Sequence, residues 1–121
     1  MDKSAMLKRL DEAIAEARDW ALSGWSVTFG RNAVRIGSLP EAKAQPARFV
    51  NRQEALAFWR NVAEVGEETA LQGEKAKAAL ERGDLRYAEG AVYFAVLVEK
   101  RLNKPSSTWE PVLAGMRALA A

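Results

Sequence analysis

Three glutamates close together, Glu64, Glu67 and Glu68, are the first residues that could do chemistry. Glu64 and Glu68 stand one helical turn apart, and paired carboxylates at that spacing can hold a Mg or Mn ion. Lys75 and Lys77 follow shortly after, so the plainer reading is an acidic helix face turned to water. The expectation is therefore no metal site. Glu89 and Glu99 border an apolar run and read as helix edges facing solvent. A second group is basic. Arg31, Arg35, Lys43, Arg48, Arg52 and Arg60 stand against only Glu41 and Glu54, with Trp25, Phe29, Phe49, Phe58 and Trp59 among them. Arginines beside aromatic rings can grip phosphates and stack bases. Core aromatics with a mixed-charge rim are the plainer alternative, because no nucleic-acid motif accompanies the charges.

Other chemistries lack their residues. The chain has no histidine and no cysteine. That removes the imidazole base, the thiolate nucleophile and the usual zinc ligands. A bundle di-iron site built from Glu-x-x-His pairs is excluded in that form. Neither a Gly-x-x-x-x-Gly-Lys-Ser/Thr loop nor a Gly-x-Gly-x-x-Gly turn occurs. No nucleophile–base pair can be named, so no catalytic residue and no cofactor is expected. The net charge of +2 does not by itself call for nucleic acid. The start shows no signal-peptide pattern and the longest apolar run is short, so the expectation is a cytoplasmic protein without a membrane span.

The elements that must position these residues read as mainly α: one domain, a four-helix bundle-like fold with a small β-hairpin after the first helix. Residues 1–24 form a helix whose stripe is Leu7, Leu10, Ile14, Ala17 and Ala21, widened by Met6, Ala13 and Trp20. Asp2 or Ser4 can cap it, and Ser23-Gly24 ends it. Trp25 to Phe29 and Ala33 to Ile36 alternate around Gly30-Arg31-Asn32, predicting a hairpin over 25–37. Residues 38–50 carry Pro40 and Pro46 and read as a connector.

A helix over 51–82 follows, with a capping box at Asn51 and Glu54 and an apolar side of Leu56, Trp59, Val62 and Ala63. Ala63, Gly66, Ala70 and Gly73 share one face of it. They form a small-residue seam that either packs a helix closely or lines a groove. Gly83 suits the turn that ends this helix, and Asp84 caps the next, over 84–103. Ala91 to Val98 is apolar throughout, so this helix is expected in the middle of the bundle, with Phe94 and Leu97 as core. Asn103 and Pro105 stop it. Ser107 and Glu110 stand at capping-box spacing before a last helix over 107–120 with Val112, Leu113, Met116 and Leu119 inward. Trp25 and Trp109 sit beside turns, where tryptophans cap cores or anchor interfaces.

Two stretches resemble known families. Ala79 to Leu102 with Pro105 to Leu119 resembles the helical hairpin of the HEPN family, in its Gly83-to-Ala88 turn and its Glu99-Lys100 near the helix end. The nuclease members need an Arg-to-His motif that this chain lacks, so the resemblance implies a non-catalytic, partner-binding bundle. The first helix with Ser26 to Arg31 and Val34 to Leu39 resembles small phage head–tail joining proteins, which implies a structural role in assembly.

The reading that follows is a non-enzymatic protein–protein interaction module: an adaptor, assembly factor or inhibitor, phage- or defence-related. Its expected partner is a protein, bound by Trp25, Arg31, Arg35, Arg48 and Arg52 at the hairpin tip and the start of the second long helix. The alternatives are nucleic acid on the Arg31–Arg60 region and a small-ligand pocket within the bundle. The sequence leaves the oligomeric state open.

Overall fold

A computed structural model describes residues 2–29, 52–102, 104 and 106–120. Among the described residues four helices follow one another: α1 (Lys3–Phe29), α2 (Arg52–Glu81), α3 (Leu85–Glu99) and α4 (Glu110–Ala120). Each runs antiparallel to the next. Lys3 at the start of α1 reaches the Glu81 carbonyl at the end of α2, and Gly24 near the end of α1 meets Trp59 near the start of α2. Asn61 bonds Arg101 beyond the end of α3, and Arg117 late in α4 pairs with Glu89 in α3.

Local chemistry sets the helix ends. The Asp2 carboxylate accepts from the Ala5 amide at 2.9 Å, capping α1. Gly83 takes a φ of +83°, a left-handed conformation that a side chain would strain. Around it the Asp84 amide donates to the Ala79 carbonyl and the Gly83 amide to the Leu80 carbonyl, a Schellman closure of α2. Asp84 then accepts from the Tyr87 amide and opens α3. Ser107 accepts from the Glu110 amide at 3.0 Å, the capping contact expected at the head of α4.

Packing follows the apolar stripes closely in α1, where Met6, Leu10, Ala13, Ile14, Ala17, Trp20 and Ala21 are all buried. Trp59, Val62 and Ala63 of α2 are buried likewise, as are Val112, Leu113 and Met116 of α4. The small-residue seam packs a helix. A Cβ on Gly66 would stand 2.6 Å from the Ala17 carbonyl oxygen and from the Ala21 nitrogen. From the other side, a Cβ on Gly24 would stand 2.6 Å from the Ala63 nitrogen and the Trp59 carbonyl oxygen. Backbones of α1 and α2 thus touch where Gly24, Ala21 and Ala17 meet Ala63 and Gly66. Arg18–Glu74 at 2.5 Å and Lys77–Asp11 at 2.8 Å lie along the same pair of helices.

The structure departs from the expected elements at several points. Trp25 to Phe29, expected as the first strand of a hairpin, continues α1 as helix, and no strand occurs among the described residues. Gly24 is small because α2 presses against it, not because the helix ends there. The Arg31 turn, the second strand and the connector over 38–50 lie outside the described residues. Another correction concerns the middle of the bundle. That place belongs to α2, which packs against both α1 and α3. On α3, Ala88, Ala91, Val92, Ala95, Val96 and Val98 are buried, while Phe94 and Leu97 remain 45% and 42% exposed. The helix also ends at Glu99 rather than 103, and α4 opens at Glu110 rather than 107.

Candidate functional site

Among the described residues two places, both on α3, gather candidate side chains in a definite geometry. The first is its outward face. Tyr87, Tyr93, Phe94 and Leu97 are each between 42% and 49% exposed. Exposed Arg86, Gly90, Lys100 and Arg101 complete the stripe. Its spacing is regular. Within α3, Arg86 with Tyr93, Tyr87 with Phe94, and Gly90 with Leu97 stand seven residues apart, and Lys100 at the C-cap and Arg101 in the turn after it lie beyond the helix. Such a repeat keeps one seam on one side of a helix. Tyr87, Gly90, Ala91 and Phe94, with Gln72 of α2, enclose a shallow hollow of about 290 Å³. Gly90 is part of its lining, and a Cβ there would meet nothing within 4 Å.

The cations of this face fall into two sets, Arg82 and Arg101 paired with the exposed Asp84 and Glu64 at 3.7 Å each, and Arg86 and Lys100 without such a partner among the described residues. The Arg82 guanidinium also lies 5.2 Å from the centre of the Tyr87 ring. Glu89, toward the flank, is engaged by Arg117 at 3.1 Å.

The second place is the C-terminal end of α3. Glu99 was expected to face solvent and is instead buried. Its Oε1 accepts from the Ser107 hydroxyl at 2.5 Å and the Trp109 amide at 3.1 Å. Its Oε2 accepts from Lys104 Nζ at 3.0 Å and the Thr108 amide at 2.9 Å. Lys104 also donates to Thr108 Oγ1 at 2.9 Å and lies over the Trp20 ring, 5.1 Å from its centre. Burial alone would push the Glu99 carboxyl up, but the Ser107 hydroxyl, the two amides and the Lys104 charge together hold it below the ordinary range. A depression of about 220 Å³ opens beside it, lined by Lys100, Ser106, Ser107 and Glu110 among others.

Every strong hydrogen-bonding position in this cluster is taken. The Ser107 hydroxyl gives its proton to Glu99 and accepts from Glu110, and Glu99 holds four donors. The arrangement fastens the head of α4 to the tail of α3. A carboxylate at a helix C-terminus opposes that helix's dipole, but here it also meets the favourable N-terminus of α4.

The residues singled out from sequence fare differently. Trp25 lies half-buried on α1, and its indole N–H donates to Glu67 of α2. Arg31, Arg35 and Arg48 lie outside the described residues, and Arg52 is the first residue of α2. The acidic trio is divided, since Glu64 faces Arg60 and Arg101 while Glu67 faces Trp25. Among the described residues no three acidic side chains converge as a metal site would require. Trp109 is a core residue, 1% exposed, with its ring over Gly73, which Ile14 also approaches. Sequence reasoning missed the outward face of α3 because eight consecutive apolar residues hide its seven-residue repeat. It missed Glu99 because the donors come from across a chain reversal.

No family model matches the chain, and no curated protein or solved structure does either. The HEPN and head–tail joining resemblances therefore gain no support, and the helical course of Trp25 to Phe29 removes the first strand on which the second rested.

Proposed function

We propose that this protein is a non-enzymatic protein-binding module and that its contact surface is the outward face of α3. The observation that carries the reading is the row Tyr87, Tyr93, Phe94 and Leu97, left accessible on a helix whose other side is fully packed. Single exposed apolar residues, such as Leu22 on α1, are ordinary. Four on one face, three of them aromatic and two of these, Tyr87 and Phe94, lining a hollow, resemble the anchor clusters of interfaces. This moves the proposed surface from Trp25, Arg31, Arg35, Arg48 and Arg52 to α3. Among the described residues no helix is long and apolar enough to cross a membrane, so a bilayer-spanning role for this helix is not the reading.

A photo-crosslinking amino acid placed at position 93, with another at position 12 on α1 as control, tests the proposal in cells. The expected result is a protein adduct formed at 93 but not at 12, and lost when Phe94→Asp and Leu97→Asp are added. Equal labelling at both positions, or adducts only with nucleic acid, would count against it.

A further inference from the structure

The exposed face of α3 has a pattern more specific than hydrophobicity. Its seven-residue repeat is that of a helix prepared to pack along another helix, with Tyr87, Gly90, Phe94 and Leu97 at alternating steps of three and four. Arg86 flanks it near one end and Lys100 near the other, both exposed and without an ion pair among the described residues. The stripe itself carries no carboxylate, and those beside it are engaged: Glu99 is buried under α4, Glu89 is held by Arg117, Asp84 by Arg82 and Glu64 by Arg101.

Building on the proposed binding role, we infer that the partner element is an acidic amphipathic helix, laid along α3 with one of its apolar side chains seated in the hollow over Gly90. The length fits. From Arg86 to Lys100, the C-cap, the stripe runs about 21 Å, which a helix of about 15 residues spans. The hollow fits too. Gly90 is the one position on the seam with no side chain, and Tyr87 and Phe94 stand one turn to either side, so a facing knob has a hole to enter.

Charge selects the partner. A second copy of this chain is disfavoured in either direction. Parallel pairing sets Arg86 on Arg86 and Lys100 on Lys100, and antiparallel pairing sets Arg86 on Lys100. Like charges at both ends of a short seam oppose it. A nucleic-acid backbone is a weaker fit, because on this face Arg86 and Lys100 are the two cations without an ion pair among the described residues, and affinity for phosphates grows with the number neutralised. A helix with Glu or Asp flanking its apolar stripe satisfies both cations and the aromatic row together.

The test uses the full chain and two synthetic helical peptides of about 15 residues. Both carry the same Leu/Ala seam, one flanked by glutamates and the other by lysines. Binding is followed by titration and by amide chemical shifts. The acidic peptide should bind at least about tenfold more tightly than the basic one, more weakly as salt rises, with shifts centred on Tyr87, Gly90 and Phe94. Gly90→Leu, which fills the hollow, should abolish binding while the chain stays folded. Arg86→Glu with Lys100→Glu should invert the preference. Equal binding of both peptides, shifts away from α3, dimerisation through α3, or tighter binding of an oligouridine would each overturn the inference. If crosslinking at position 93 captures a protein but the acidic peptide shows no preference, the partner chemistry is wrong and the binding role stands. If neither experiment points to α3, both fail.

Discussion

Glu99 and Lys104 show how much one residue pair can decide. Both side chains are about 8% exposed, and each has its partners in place. Removing one member leaves the other charged and buried, a loss of about 3–5 kcal/mol. Glu99→Ala should therefore lower unfolding free energy by about that amount in urea titration, since the Thr108 and Trp109 amides also lose their acceptor. Glu99→Leu combined with Lys104→Met should recover much of the loss, because the pair's desolvation cost disappears with it. The pH dependence has a definite sign. The folded state holds Glu99 below its ordinary value of 4.5, so it binds the proton less readily than the unfolded chain does. Its contribution is complete above that value and falls away as pH drops through the lower folded value. The acid limb of a stability–pH curve should therefore be shallower in Glu99→Gln than in the natural chain. None of this pairing was legible in the sequence beyond the capping box. Ser107 and Glu110 announced a helix start, but nothing local tells that a carboxylate eight residues earlier folds back onto it.

At the scale of elements, the glycines separate two causes that a sequence leaves mixed. A glycine inside a helix costs about 1 kcal/mol relative to alanine, so replacing it helps wherever space allows. Gly66 and Gly24 have backbone atoms of the neighbouring helix within 2.6 Å of the missing Cβ, and Gly90 has nothing within 4 Å. Gly66→Ala and Gly24→Ala should each destabilise by about 1–3 kcal/mol, because α1 and α2 must move apart. Gly90→Ala should stabilise by up to about 1 kcal/mol. Three thermal or urea unfolding curves check the set, and one sign for all three would refute the packing assigned to the seam. The stripes of α1, α2 and α4 were legible because polar residues interrupt them at helical spacing. The end of α1 was not. Ser23-Gly24 followed by alternating Trp25 to Phe29 carries the same signs as a helix stop and a strand. Only the approach of Ala63 from α2 reveals that Gly24 is a contact.

For the whole molecule, the order of the layers decides which face is left for a partner. The run Ala91 to Val98 has no polar residue to mark an outside, so periodicity made α3 the bundle's centre. The structure gives that place to α2, whose small residues meet α1 while α3 packs on another side. With α4 covering the end of α3 through Glu99 and Trp109, one face of α3 has nothing over it among the described residues. The consequence can be checked by placing the same charge on the two sides of one helix. Val92 and Val96 are 0% and 5% exposed, and aspartate at either position would bury an unpaired carboxylate. Val92→Asp and Val96→Asp should each unfold the domain or cost more than about 4 kcal/mol. Phe94→Asp and Leu97→Asp lie on the half-exposed side, where the new charge stays in water and the loss should be within about 1 kcal/mol. Circular dichroism during heating distinguishes these outcomes. If Phe94→Asp and Leu97→Asp unfold as readily as the valine variants, α3 is enclosed on all sides. The aromatic stripe would then be core and could receive no partner helix. If they stay folded, the same two variants are the proper controls for binding, since any lost contact is then a property of the surface and not of the fold.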